Sequence, residues 1–297
     1  FMALREALEE IGPEYDLAVD VYVFRSRELG SPKRTERRIR RALDRALGGL
    51  QLRRIVVAVS GHGSQNGIID LEAKSKLPLK VDHGRGIAWD TTGDRLATSS
   101  PSDGHLRIWK SDGRLIHDIS RRGDAKGLTG VAWQPHGDRI VSIGQYITLH
   151  DANGKVIKQI SHRPHAKGFC LLLSVEWHPS GEFFAVGDYG NSDKGDPPKI
   201  QFWSADGTLM QTMQTDGGAE FRNISWDPKG NLLASASDAL RIWTKSGELV
   251  HQGSSPALLW GVDWQPDGSH ILTSSIDGRV TLWTREAQVA KRIVDPE

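Results

Sequence analysis

One short stretch of the chain carries residue types that could do chemistry. Residues 60–67 read Ser-Gly-His-Gly-Ser-Gln-Asn-Gly and directly follow an apolar run that is typical of a buried strand. A histidine can act as a general base or acid, and a neighbouring backbone amide can stabilise an oxyanion. Covalent catalysis would also need a nucleophile. The one cysteine of the chain, Cys170, lies in the apolar sequence 169–177, where a free cysteine is usually a buried residue.

This stretch resembles the Ser-Gly-His-Gly turn of the caspase-like peptidases, and of metacaspases in particular. The resemblance implies that His62 is the catalytic histidine and that the amide of Gly63 donates to an oxyanion. The rest of the family pattern is missing, because no cysteine follows at the end of the next strand. We therefore predict that the chain is not an enzyme. A caspase-like cysteine peptidase whose nucleophile lies outside this sequence is the alternative.

The elements around this stretch admit two interpretations. Apolar spacing predicts helices over 2–11 and 32–47 and strands over 17–24 and 54–60, a strand-helix-strand order that favours a small α/β segment in residues 1–79. In the alternative, residues 57–71 are two strands of a degenerate repeat, with Gln65-Asn66-Gly67 as their hairpin turn. Residues 77–81 would then form the outer strand of that repeat.

The remainder of the chain repeats one pattern. Residues 259–283 read as a strand, a Pro-x-Gly turn, a second strand, an Asp-Gly turn and a third strand, which is typical of antiparallel sheets. Similar copies occur at 87–109, 131–149, 175–203 and 224–243. A further turn and a short fourth strand follow each copy. Four strands at a period near forty residues is the pattern of a β-propeller.

Two series of tryptophans mark the copies. The first strand of each ends in Trp89, Trp133, Trp177, Trp226 or Trp264, and the third strand carries Trp109, Trp203, Trp243 and Trp283, with His150 in the second copy. These copies resemble WD40 repeats. The resemblance implies a mainly β fold, a WD40-like propeller of five recognisable four-stranded blades over residues 80–297. Whether the propeller closes with five blades, or with degenerate ones hidden in residues 1–79, stays open.

The same resemblance implies structural roles for several side chains. It suggests hydrogen-bonded sets of His83, Thr98, Asp103 and Trp109 in the first blade, and of Thr273, Asp277 and Trp283 in the last. The tryptophans are expected to pack between sheets.

Two groups of residues are candidates for binding a partner on one rim of the propeller. The first occupies the position four residues before each first-strand tryptophan: Arg85, Thr129, Leu173, Arg222 and Trp260. Arginine and tryptophan are the typical anchors of protein interfaces, and the WD40 resemblance places partners on this face. The second group comes from two similar loops, 119–127 and 160–168, and forms a basic arc of Arg122, Lys126, Arg163 and Lys167.

These features predict a non-catalytic interaction or scaffold module that binds a protein or peptide, with an acidic or phosphorylated ligand as one option. The formal net charge of +1 gives no global field that favours nucleic acid or a membrane, although the arginine-rich helix at 32–47 keeps nucleic acid as a weaker alternative. No His, Cys and Asp spacing indicates a metal site, and no cofactor is expected. The single cysteine favours a reducing, cytoplasmic setting.

Overall fold

A computed structural model describes residues 56–59, 66–70, 75–81, 85–101, 103–120, 127–163, 170–190, 195–215 and 218–294. These residues form one three-stranded sheet and five four-stranded sheets, each with its strands in chain order. All strand pairs are antiparallel. The fold is therefore mainly β, and its five four-stranded sheets agree with the predicted blades.

The first two blades contain β4 to β11. Their strands are β4 Gly86–Trp89, β5 Arg95–Ser99, β6 Leu106–Lys110, β7 Leu115–Ile119, β8 Gly130–Trp133, β9 Arg139–Ile143, β10 Ile147–Asp151 and β11 Val156–Ile160. The third blade contains β12 Leu172–Trp177, β13 Phe183–Asp188, β14 Lys199–Ser204 and β15 Leu209–Gln214. The last two contain β16 Asn223–Trp226, β17 Leu232–Ala236, β18 Ala239–Thr244, β19 Leu249–Ser254, β20 Leu259–Trp264, β21 His270–Ser275, β22 Val280–Thr284 and β23 Val289–Val294.

The hydrophobic core lies between the sheets. Each of its four clusters draws residues from two neighbouring blades, so that blades one and two, two and three, three and four, and four and five share a core. Each first strand packs beside the first strand of the next blade, from β4 through β8, β12 and β16 to β20. The approach of β4 to β8 is close enough that a Cβ on Gly86 would lie 2.7 Å from the Cα of Gly130.

The two ends of this array are less covered than its middle. Among the described strands, no comparable packing joins β20 back to β4. Trp89 on β4 is 37% exposed, whereas the other four first-strand tryptophans are at most 7% exposed. In the described part of the chain the five blades thus form an open array, and the core between blades five and one is missing.

The third-strand tryptophans are tied to the second strand by a repeated hydrogen bond. The indole Nε1 donates to Thr98 from Trp109 at 2.9 Å and to Thr273 from Trp283 at 2.8 Å, which confirms both predicted pairs. In the second blade, His150 replaces tryptophan and its Nε2 bonds the hydroxyl of Ser142 at 2.8 Å.

The aspartates predicted beside these pairs bond elsewhere. Asp103 accepts from the backbone of His105 at 3.0 Å and from Arg107 at 2.6 Å. Asp277 accepts from Ser275 at 2.5 Å and also pairs with Arg279. His83, the remaining member of the predicted set, lies outside the described residues.

A three-stranded sheet precedes the blades. It contains β1 Val56–Val59, β2 Asn66–Asp70 and β3 Ser75–Val81, paired in that order. Antiparallel pairing of β1 with β2 agrees with the degenerate-repeat alternative, although Asn66 and Gly67 lie in β2 and not in the predicted turn. The predicted domain boundary near residue 80 falls inside β3. The helices and the first strand predicted in residues 1–50 lie outside the described part of the chain.

The third blade has no hydroxyl group on its second strand to accept a hydrogen bond from the indole of Trp203. Val186 occupies the position equivalent to Thr98, two residues beyond the strand residue paired with the tryptophan, and the buried Nε1 of Trp203 has no hydrogen-bond partner. Threonine has nearly the same shape as valine, so replacing Val186 with threonine supplies a hydroxyl acceptor without changing the packing volume. We expect Val186→Thr to increase the free energy of unfolding by about 1 kcal/mol, measured as a higher urea midpoint with an unchanged slope.

The matched control removes the bond where it exists. Thr98→Val leaves the buried Nε1 of Trp109 unpaired and is expected to lower the free energy of unfolding by about 1–3 kcal/mol. Equal destabilisation by both substitutions would show that the indole bond contributes nothing to the stability of a blade.

Candidate functional site

The predicted rim positions lie at one end of the blades. The backbone amides of Arg85, Thr129 and Arg222 each donate to the last residue of the neighbouring second strand, at 2.9, 2.8 and 3.0 Å. The same register in three blades puts these residues at equivalent places along the first strand. The structure therefore brings them to the same rim, as the alignment of the copies predicts.

In the third and fifth blades the rim position falls on a β-bulge. The register shifts between Leu172 and Ser174, and again between Leu259 and Gly261, so that Leu173 and Trp260 are the extra residues. A bulge changes the direction in which a side chain points. Trp260 is 48% exposed, which is unusual for so large an apolar side chain.

Two of the five predicted rim residues are not available to a partner. Leu173 is buried, and so is Thr129, whose hydroxyl donates to the backbone oxygen of Leu172 at 2.5 Å. Their burial excludes both side chains from direct contact with a ligand, which corrects this part of the prediction. The Thr129 hydroxyl instead links the start of the second blade to the first strand of the third.

Arg222 and Trp260 form the centre of the remaining surface. The guanidinium carbon of Arg222 lies 4.3 Å from the ring centroid of Trp260, a cation–π contact between the fourth and fifth blades. Arg222 also forms an ion pair with Glu220, yet its buried Nε has no hydrogen-bond partner. The stacked guanidinium thus keeps an unused donor.

Arg85 contributes a second positive charge. Its side chain is exposed, and no carboxylate in the described part of the chain forms an ion pair with it. Loss of hydration, followed by the charge of Arg222, lowers the pKa of Arg85 from its ordinary value. The charge of Arg222 in the fourth blade thus acts on Arg85 in the first blade, and a bound anion would reduce this repulsion.

An exposed isoleucine extends the surface beyond the sequence-predicted residues. Ile276 is 61% exposed in the turn after β21, and its amide donates to the backbone oxygen of Leu258 at 2.9 Å, beside the start of β20. We define the rim surface as Arg85, Arg222, Trp260 and Ile276. An apolar residue inside the turn Ser-Ile-Asp-Gly was the available signal in the sequence, since turns favour polar residues and glycine.

Arg163 is the one residue of the predicted basic arc that the structure describes, and its side chain is not available to a ligand. The side chain of Arg163 is 5% exposed and pairs with Asp188 at 2.6 Å and with Asp196. Two carboxylates neutralise this guanidinium, so Arg163 is corrected from a ligand contact to a buried ion-pair residue. Arg122, Lys126 and Lys167 lie outside the described residues and stay a prediction.

The one thiol of the chain is not an activated nucleophile. Cys170 is buried and free, and burial, followed by the charge of Asp188, raises its pKa to about 11. A nucleophilic cysteine needs the opposite shift, toward the thiolate at neutral pH. His62 and Gly63, the residues of the caspase-like turn, lie outside the described part of the chain.

Two acidic side chains lie three residues further along the first strands from the rim. Glu176 on β12 accepts the backbone amide of Trp226 at 3.0 Å, and Asp263 on β20 accepts the hydroxyl of Ser225 at 3.1 Å. Burial of the carboxyl group, followed by the charge of Asp263, raises the pKa of Glu176 well above its ordinary value. The arginines of the rim thus give way to a pair of acidic side chains deeper between the blades.

This raised pKa predicts a stability that depends on pH. The folded protein holds the Glu176 proton more tightly than the unfolded chain, so this stabilising effect is complete below the unfolded pKa near 4 and is lost as the pH rises through the folded pKa. Glu176→Gln keeps an oxygen for the Trp226 amide without a charge. We expect Glu176→Gln to unfold at higher urea than wild type at pH 8, and at nearly the same urea at pH 4.

The gain should amount to about 1.4 kcal/mol for each unit of the pKa shift. Glu182→Gln, in an exposed turn of the same blade, serves as the matched control and should show no pH-dependent gain. A Glu176→Gln variant that is less stable than wild type at pH 8 would contradict the assigned protonation.

Comparison with known proteins gives two family matches. The model of the WD40 family, described as WD domain, G-beta repeat, matches residues 79–110 and 247–284. The first match begins in β3 and the second just before β19, and each ends at the third strand of the following blade. The model described as eukaryotic translation initiation factor eIF2A matches residues 120–260.

Several curated proteins are similar at low identity. Intraflagellar transport protein 80 homolog of Mus musculus is 22% identical over 199 residues, which cover 65% of this chain and 23% of that protein. Protein transport protein sec13 of Aspergillus fumigatus is 26% identical over 239 residues, covering 66% of this chain and 76% of that protein. Actin-interacting protein 1 of Drosophila melanogaster is 23% identical over 206 residues, which cover 64% of this chain and 31% of that protein.

The chain spans about a quarter of the length of the mouse intraflagellar transport protein and of its Rattus norvegicus counterpart. Their likeness therefore concerns the repeat region and not the whole of those proteins. The WD40 model thus matches strands of the first blade and strands of the fourth and fifth blades among the five four-stranded sheets.

Proposed function

We propose that the chain is a non-catalytic interaction module whose rim surface binds a segment of a partner protein. The segment presents an acidic or phosphorylated group to Arg85 and Arg222, and an apolar side chain to Trp260 and Ile276. The observation that carries this proposal is the stack of Arg222 on the half-exposed ring of Trp260, at 4.3 Å. It joins a positive charge and an apolar surface at one point.

The chemistry of these residues supports an anionic ligand. A guanidinium group binds carboxylate or phosphate oxygens through paired N–H donors, and such charge-assisted bonds are stronger than neutral ones. Stacking on an indole orients the guanidinium plane before the ligand arrives, which reduces the entropy lost on binding. Arginine and tryptophan at the centre of a surface are also the residues on which binding energy most often concentrates.

The similar proteins support a binding role over catalysis. One is named for its interaction with actin and two for transport, and none of the three names denotes an enzyme. Because the similarity covers only the repeats, it supports a role in protein binding but does not identify the partner. The kind of partner is therefore inferred from the residues of the rim surface. Nucleic acid is disfavoured by a net charge of +1, and a reducing cytoplasmic setting agrees with a free cysteine. No helix in the described residues is long and apolar enough to span a membrane.

Binding can be tested with peptides selected against the full chain. Displayed peptide libraries, with and without phosphoserine, are selected on the wild-type protein, and the Kd of the recovered peptides is measured by fluorescence anisotropy. We expect the recovered peptides to contain an anionic residue near an apolar one. Arg222→Gln and Trp260→Ala should each raise the Kd about tenfold or more, because truncating an anchor costs at least about 1.4 kcal/mol.

Two further variants make the test specific. Glu220→Gln removes the carboxylate that pairs with Arg222, so it should lower the Kd for anionic peptides. Arg114→Gln changes an exposed arginine on the outer turn of the first blade and should leave the Kd unchanged. If peptides bind equally well to the Arg85/Arg222/Trp260 triple variant, the rim surface is not the binding site.

A further inference from the structure

A buried cluster of three potential ligand atoms lies where the second and third blades meet, and it contains none of the four residues of the rim surface. His162 follows β11, Cys170 precedes β12, and Asp188 ends β13. The ligand atoms of these three residues all lie within 4.8 Å of one another, and the Nε2 of His162 is 3.9 Å from the Oδ2 of Asp188. All three residues are more than nine-tenths buried. Strands of two blades thus bring one imidazole, one thiol and one carboxylate together.

The histidine in this cluster lacks the partners that burial normally requires. Neither ring nitrogen of His162 has a partner that meets hydrogen-bond geometry. Burial and the charge of Arg163 lower the pKa of His162 to about 4, against a smaller opposing effect of the Gln145 backbone. The buried Oε1 of Gln201 is also without a partner, while its Nε2 donates to the backbone oxygen of His162 at 3.3 Å. Buried polar atoms are nearly always satisfied, so a group of unsatisfied ones points to a bound species.

We propose that His162, Cys170 and Asp188 bind a divalent transition-metal ion of the zinc class. Thiolate, imidazole and carboxylate are the ligands that Zn²⁺ prefers, whereas Ca²⁺ and Mg²⁺ take oxygen ligands almost exclusively. Zinc bonds of about 2.0–2.3 Å in a tetrahedron place the ligand atoms about 3.5 Å apart, so the widest pair here must close by about 1 Å. Three protein ligands leave a fourth position for water or another donor.

Neighbouring groups fix the orientation of the Asp188 carboxylate and balance its negative charge. The Oδ1 of Asp188 accepts the backbone amides of Lys199 at 2.8 Å and Gly190 at 3.1 Å, which fixes the orientation of the group. Its Oδ2 accepts Arg163, at 2.7 Å from Nε. The ion must displace at least one of those N–H groups. Arg163 retains other acceptors, namely Asp196 and the backbone oxygen of Pro197 at 2.9 Å.

Charge and protons balance on binding. The thiol of Cys170 loses its proton to solvent as the metal–sulfur bond forms, while the neutral imidazole and the ionised carboxylate donate lone pairs without losing a proton. One thiolate and one carboxylate neutralise the doubly charged ion. Arg163 and Lys199 both remain beside Asp196, so one positive charge is left at the edge of the cluster.

Cobalt provides a direct test, because the chain contains a single cysteine. The full chain is freed of metal with a chelator and titrated with Co²⁺ under reducing conditions. We expect a near-ultraviolet charge-transfer band from thiolate to cobalt that saturates at one ion per chain and is bleached by Zn²⁺. Only Cys170 can supply that band. Zn²⁺ should also raise the midpoint of thermal unfolding.

Variants separate the cluster from binding by the thiol alone. Cys170→Ser should abolish the band, and His162→Gln and Asp188→Asn should each weaken cobalt binding about tenfold or more, as measured by titration. His251→Gln, in the outer strand of the fourth blade, is the matched control and should bind like wild type. Circular dichroism of each variant establishes that it is folded.

Two results would overturn the proposal. One is a folded wild-type chain that shows no charge-transfer band in excess Co²⁺. The other is a band whose affinity is unchanged in both His162→Gln and Asp188→Asn, which would mean that cobalt binds the thiol alone. Neither result affects the rim surface, since none of its four residues belongs to this cluster.

Discussion

The structure depends on one constraint, which is that no blade can bury its own faces. A four-stranded sheet with apolar residues on both sides exposes them unless a neighbouring sheet covers each side. Here every core cluster is shared between two adjacent blades. The stability of each blade therefore depends on its neighbours, and any feature located where two blades meet is fixed by both.

The rim surface is a consequence of this shared packing. Arg222 belongs to the fourth blade and Trp260 to the fifth, so their contact exists only because the two sheets pack side by side. The β-bulge at Trp260 directs the indole out of the sheet and away from the core. Hydrogen bonds of the strand ends hold the backbone on both sides of this contact. The surface is thus presented by a rigid scaffold, which favours a preorganised binding site.

The open side of the array follows from the same constraint. At one end of the array Trp89 is partly exposed, because no described blade covers its side of the first sheet. At the other end, buried and half-buried residues alternate along β21 and β22, whereas the second and third strands of the middle blades are buried along nearly their whole length. The three-stranded sheet β1 to β3 directly precedes β4, and the first WD40 match begins at residue 79, inside β3. The second match begins at residue 247, just before the outer strand of the fourth blade. Both matches thus start near the strand that precedes a blade.

Much of the fold could be predicted from residue pattern alone. The spacing of Trp89 to Trp264 defined the five copies, and the WD40 resemblance implied the pairing of Trp109 with Thr98. Such features are local, because a hairpin fixes which residues of neighbouring strands face each other. The same alignment placed Arg85, Arg222 and Trp260 at equivalent positions, and Trp260 stood out as the tryptophan outside both series.

What the sequence by itself determined is therefore the order of strands, the repeated tryptophan bonds and the equivalence of the rim positions. Only the tertiary structure decided which rim residues are exposed, since Thr129 is buried whereas Trp260 projects from a bulge. It also decided that Arg163 pairs with Asp188 and that His162 and Cys170 lie beside the same carboxylate. Sequence spacing cannot encode these contacts, because they join separate strands and loops whose distances are set by how neighbouring blades pack.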